Sequence, residues 1–102
     1  MTINIITNDA DKALIEFAGE LDTVAAQGLT DQLSPVMTDA GKAITIDFSK
    51  LEYISSAGMR ILLQLNKNAM ENGGSVSIVG MSEDILQIFQ LVGFDKVFSI
   101  NQ

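Results

Sequence analysis

The feature that most constrains this chain is a helical segment bracketed by two short apolar strands. Ala43 to Phe48 is its most strand-like run, and Ser75 to Val79 is another. Between them a helix reads from Ala57 to Glu71 and is stopped by Asn72, Gly73 and Gly74. Strand, helix and strand joined by short connections call for parallel pairing through a right-handed crossover. The alternation extends both ways. Upstream, Ala13 to Ala18 reads as a strand, and Val24, Ala25, Leu29, Leu33, Val36 and Met37 follow at helical spacing. Downstream, Ser82 is placed to cap a third helix, with Glu83 and Asp84 in its first turn, where the helix dipole favours acids. Ile85, Leu86, Ile88, Phe89 and Val92 form its apolar face, and Gly93 ends it. Phe94 to Ile100 reads as a final strand or half-turn. Ile3 to Thr7, facing Ala13 to Ala18 across the polar cluster Asn8 to Asp11, predicts an antiparallel hairpin at the front. The expectation is an α/β domain with a mixed sheet.

Three local signals refine this. Asp22 is a candidate N-cap for the first helix, because its carboxylate can accept orphan backbone N–H groups. Pro35 lacks an N–H, which predicts a kink or a restart with Ser34 capping and Pro35 at the first helical position. Asp39 to Lys42 should close that segment, and the strand after it should end at Asp47, Phe48 and Ser49.

At 102 residues a single domain spanning 1–102 is expected, and an apolar content of 47% is enough for a core. The chain has no cysteine and no histidine, which excludes disulfides, thiolate metal sites and Ser-His-Asp or Cys-His catalysis. It has no tryptophan and one tyrosine, Tyr53, too little for a base-stacking platform. A net charge of -7, with six scattered basic residues, argues against direct nucleic-acid binding and against an anionic membrane surface. Apolar runs fall far short of the ~20 residues a membrane span needs. The N-terminus lacks a basic signal-peptide region, so a cytoplasmic protein is expected, with no cofactor and no metal.

In open α/β sheets functional groups gather at the carboxyl ends of strands. Gly19 to Asp22, Asp47 to Ser49 and Ile54 to Gly58 are the three such ends that stand out. The last joins two hydroxyls, two small residues and a helix N-terminus, which can hold an anion. Spacing alone favours an ordinary N-cap at Ser55 or Ser56, since serine is common at helix starts. Asp47 is a conceivable phosphoryl acceptor, but it lacks the companion carboxylates and following lysine of such sites and reads as a solvated or capping residue. Gly73-Gly74 follows a helix instead of preceding one and is a stop. Glu20 and Asp22 have no apolar pocket to make them an acid–base pair. The central helix carries two apolar stripes: Ile61, Leu62, Leu65 and Ala69, and Met59, Leu63 and Met70. Either both are buried, or Met59 and Leu63 form a docking patch beside the serines. Arg60, the nearest basic residue, is expected to point away from those serines.

The stretches Gly19 to Asp22, Ile44 to Ser49 and Leu51 to Arg60, with Gly73-Gly74 before a strand and Leu91 to Phe98 near the end, resemble the STAS domain family, and more narrowly its stand-alone bacterial anti-sigma factor antagonists. The resemblance covers nearly the whole chain and is most specific from Asp47 to Arg60. It implies a mixed four- or five-stranded sheet with helices packed mainly on one side. It also implies a binding module, not an enzyme, whose partner is an anti-sigma factor that is itself a serine kinase. Phosphorylation at the start of the second helix weakens that complex, and a phosphatase resets it. The matched acceptor is Ser56. The partner-binding positions implied are Asp22, Ser55, Ser56, Ala57, Gly58, Met59, Arg60 and Leu63. Ser55 stands where the family's motif has aspartate, and the chain stops just after Ile100, where many members carry a further helix. Alternatives from other classes are an unphosphorylated STAS scaffold subunit of a transporter or stress-sensing complex, and a small-ligand or nucleotide-binding module.

Overall fold

The computed structural model describes residues 1–37 and 42–101. The elements follow in the order β1 (Thr2–Asn8), β2 (Lys12–Leu21), α1 (Thr23–Met37), β3 (Ala43–Ile54), α2 (Ser56–Glu71), β4 (Ser75–Val79), α3 (Glu83–Val92), a 3-10 turn (Phe94–Lys96) and β5 (Ser99–Asn101). The strands form one five-stranded sheet in the order β1-β2-β3-β4-β5. β1 and β2 pair antiparallel as the expected hairpin, and every later pair is parallel. The Asp9 carboxylate holds the hairpin turn by accepting the N–H groups of Asp11 at 3.0 Å and Lys12 at 2.9 Å.

Each crossover connects neighbouring strands in the same direction, so right-handedness puts all three helices on one face. The strands record this as alternation. Ala13, Ile15 and Phe17 of β2, Ile44, Ile46 and Phe48 of β3, and Val76 and Ile78 of β4 are buried, while their neighbours Leu14, Glu16, Thr45, Asp47 and Ser77 are half-exposed on the open face. The helices meet the covered face with Ala26, Leu29, Leu33 and Val36 of α1, Leu62, Leu65 and Ala69 of α2, and Ile85 and Phe89 of α3. All five phenylalanines join in one chain of ring contacts. Phe17 stacks on Phe48 at 5.6 Å, Phe48 meets Phe89 edge-on at 6.2 Å, and Phe89 contacts both Phe94 and Phe98.

Two expectations are corrected. The first helix does not restart at Pro35; it continues through it to Met37. The missing proline N–H would have bonded the Asp31 carbonyl, and the Ser34 hydroxyl donates to that oxygen instead, at 2.8 Å. The closing turn expected over Asp39, Ala40 and Gly41 lies outside the described residues. The second correction concerns β3, which runs on past Ser49 to Ile54. Its extension pairs with the end of β2, Ala18 facing Lys50, Gly19 facing Leu51 and Leu21 facing Ile54. Register shifts after Glu16 and after Gly19 leave β3 with an extra residue each time. Those bulges break the two-residue period, so only Leu51 and Ile54 of the extension turn inward.

The other stops and caps agree with the sequence. Gly93 ends α3 in the left-handed region at φ 79°, and Ser82 caps its start by accepting the Ile85 N–H at 3.2 Å. No helix among the described residues is long and apolar enough to cross a membrane.

Candidate functional site

The parallel strands point the N-termini of the helices that follow them to one end of the sheet. There β2 and β3 finish side by side. The Ser55 N–H donates to the Leu21 carbonyl at 2.8 Å, which ties the start of α2 to the start of α1. Asp22 caps α1 as expected, its carboxylate accepting the Ala25 N–H at 2.8 Å. Ser55 caps α2, its hydroxyl accepting the Gly58 N–H at 3.1 Å. A serine performs here the capping that the family's aspartate could perform, without placing a charge in a buried position.

The two serines therefore differ. Ser55 is 7% exposed and its oxygen is engaged in the cap. Ser56, the first residue of α2, is exposed. Ser56 and Ala57 sit where helix N–H groups have no carbonyl a turn earlier, so an anion on the Ser56 oxygen would meet unpaired donors and the positive end of the dipole. Gly58 is required by packing. A Cβ there would lie 2.6 Å from Cγ and 2.8 Å from Cδ2 of the fully buried Leu21. Its absence lets the first turn of α2 close against the end of β2.

Of the sequence-predicted site residues, Asp22, Ser55, Ser56, Ala57 and Gly58 share this corner. The docking patch expected at Met59 and Leu63 is corrected in part: Met59 is 6% exposed and belongs to the core, while Leu63 is half-exposed. Met59 is buried because α2 packs on the covered face of the sheet beside α1, with Met59, Leu62, Leu65, Asn66 and Ala69 turned inward. The expectation for Arg60 is corrected too. Arg60 is four residues from Ser56, hence on the same helix face, and it is exposed. Lys67 and Met70 continue that face and are exposed, so the expected stripe of Met59, Leu63 and Met70 is split: its first member is buried and its last is open to solvent. Val24, 74% exposed, and Tyr53, 47% exposed, flank the corner from α1 and β3; Val24 belongs by spacing to the apolar set of the first helix and lies instead on its open side.

Asp47 is not a strand end. It sits within β3 opposite Val79, and its carboxylate accepts the Ser49 N–H at 2.8 Å. Among the described residues no group of three or more acidic side chains gathers as a metal site would require.

The STAS domain family model matches residues 2–102. The chain belongs to the STAS domain family. It is 26% identical to an anti-sigma-B factor antagonist of Staphylococcus aureus over 100% of this chain and 95% of the relative. It is 24% identical to the Bacillus subtilis protein of the same name over 99% and 93%. Among solved structures, a STAS domain protein from Planctomyces limnophilus superposes with a TM-score of 0.85 at 19% identity, covering 98% of this chain and 88% of that one. The phosphorylated form of the Bacillus cell fate determinant SpoIIAA superposes with a TM-score of 0.74 at 18% identity, covering 99% and 92%. These likenesses agree with the one-sided mixed sheet of this STAS chain.

Proposed function

We propose that this STAS domain is an anti-sigma factor antagonist acting in the cytoplasm. It binds an anti-sigma factor that is a serine kinase through the corner where α1 and α2 begin, and phosphate on Ser56 turns that binding off until a phosphatase removes it. The chain supplies the acceptor and the kinase supplies the chemistry, so the domain itself is not an enzyme. The observation that carries the reading is the contrast between the two serines: Ser56 presents its hydroxyl to solvent at a helix N-terminus, whereas Ser55 is buried in the cap. The whole-length likeness to relatives named anti-sigma-B factor antagonists supports it.

Phosphate acts locally in this reading. It adds about -1.5 to -2 charge at neutral pH, and free N–H groups at the start of α2 can receive it without a change of fold. The fold's similar likeness to the unphosphorylated and phosphorylated forms of SpoIIAA, with TM-scores of 0.76 and 0.74, is in line with this. The test is labelling with ATP and the serine-kinase anti-sigma factor of the same genome. One label per chain is expected, lost in Ser56→Ala and kept in Ser55→Ala; the reverse pattern refutes the assignment. Ser56→Glu should weaken binding while amide NMR shifts stay confined to the α1–α2 corner. Absence of any label, in vitro and in protein purified from its own host, would favour the unphosphorylated scaffold role.

A further inference from the structure

The outer face of α2 carries a pattern that the acceptor serine does not explain. Ser56, Arg60, Leu63, Lys67 and Met70 follow one another at intervals of four, three, four and three residues, so they share one stripe of the helix. Arg60, Lys67 and Met70 are exposed and Leu63 is half-exposed. In a chain of net charge -7, this stripe is locally cationic. Its two cations belong to α2, and neither α1 nor α3 has any. The other basic side chains are differently placed. Lys42 is buried, and Lys50 is 3.5 Å from the Glu16 carboxylate. Arg60 and Lys67 make no ion pair among the described residues. The one acid of α2, Glu71, lies at the stripe's border.

The apolar members are also positioned for contact. Leu63, Asn66, Lys67, Met70 and Glu71 line a shallow cavity of about 510 Å³. The buried Asn66 directs its amide N–H to the Met70 sulfur at 3.5 Å, although Met70 is 62% exposed. Cation and apolar residue each repeat after seven positions, about 10.5 Å along the axis. A partner helix lying along α2 repeats its own faces at that interval.

We propose that this stripe docks an acidic amphipathic helix of the partner protein, with apolar residues over Leu63 and Met70 and carboxylates opposite Arg60 and Lys67. The inference rests on the functional reading above and deepens it. Phospho-Ser56, one turn from Arg60, draws that guanidinium into an intramolecular pair and sets a dianion at the head of the stripe. The partner's carboxylates then lose a cation and meet like charge, which gives phosphorylation its direction.

The experiment titrates the serine-kinase anti-sigma factor of the same genome with wild type, Arg60→Glu, Lys67→Glu, Met70→Ala and the control Lys96→Glu, at low and high salt. Circular dichroism monitors folding, and the substituted side chains on α2 are all exposed. Each α2 charge reversal is expected to weaken binding about tenfold or more at low salt, and Met70→Ala by about fivefold, with Lys96→Glu within about twofold of wild type. The salt dependence of wild type should flatten in Lys67→Glu. Unchanged or tighter binding by Lys67→Glu overturns the acidic partner, and so does equal weakening by Lys96→Glu, which would reflect net charge alone. A wild type that neither binds the kinase nor is labelled at Ser56 overturns the functional reading itself; a wild type that binds while the α2 variants match it overturns only the stripe.

Discussion

Gly58→Ala probes how tightly the site is built. The added methyl would fall 2.6 Å from Leu21 Cγ and 2.8 Å from its Cδ2. Leu21 is fully buried, and Cγ is the branch point of its side chain, so the leucine cannot simply swing away. Overpacking of this kind costs about 1–3 kcal/mol. Alanine has the better helix propensity, by up to about 1 kcal/mol in a helix interior and less in the first turn, where Gly58 lies. The net expectation is a loss of about 1–2 kcal/mol, seen as a drop in Tm of roughly 4–15 °C for a domain of this size. The decisive measurement is a double-mutant cycle by chemical denaturation. Leu21→Ala alone should cost about 2–5 kcal/mol by leaving a cavity. In that background the obstructing Cγ and Cδ2 are gone, so Gly58→Ala should become neutral or slightly stabilising, a coupling of about 1–2 kcal/mol. An equal penalty for Gly58→Ala in both backgrounds would refute the reasoning, as would an unchanged Tm in the single variant.

Ser55→Ala should lower stability by about 1 kcal/mol through loss of the α2 cap, whereas Ser56→Ala should change it little; thermal melts of the two variants check this. Asp9 has its carboxyl held below the ordinary value of 3.8, first by the Lys12 N–H and then by the Asp11 N–H, against a small opposing effect of desolvation. Its folded pKa being depressed, its contribution is present above the unfolded value and is lost as pH falls through the folded one; a carboxyl carbon NMR titration should give a midpoint under 3.8. Phe48→Ala removes the ring that joins Phe17 to Phe89 and should cost about 3–5 kcal/mol in urea denaturation. A mobility-shift assay at low salt should show no tight DNA complex, given the net charge of -7.

The sequence by itself determined the elements whose cause is local. Gly93 and Ser82 bound α3 because a left-handed cap suits glycine and a serine oxygen can cap an N-terminus, and both are visible residue by residue. The strand–helix alternation determined a mixed sheet, antiparallel in the first hairpin and parallel after it, while the order of its strands came only with the structure. Asp22 as a cap was legible in the same way; residue type and position left Ser55 and Ser56 open, and only the resemblance to the STAS motif singled out Ser56 as the candidate acceptor. What only the tertiary structure decided depends on partners distant in the chain. The residues after Ser49 are a strand because β2 offers its edge to them, and two bulges in that pairing destroy the alternation by which a strand is recognised. Pro35 stays inside α1 because Ser34 answers the carbonyl that the proline abandons and Val36 is held in the core. Met59 is buried and Arg60 is not because α2 docks on the sheet with Met59, Leu62, Leu65 and Ala69 inward, and neighbouring helix positions lie about 100° apart. Spacing alone places Arg60 and Leu63 on the face of Ser56, but only the packing of α2 against the sheet decides that this face looks outward.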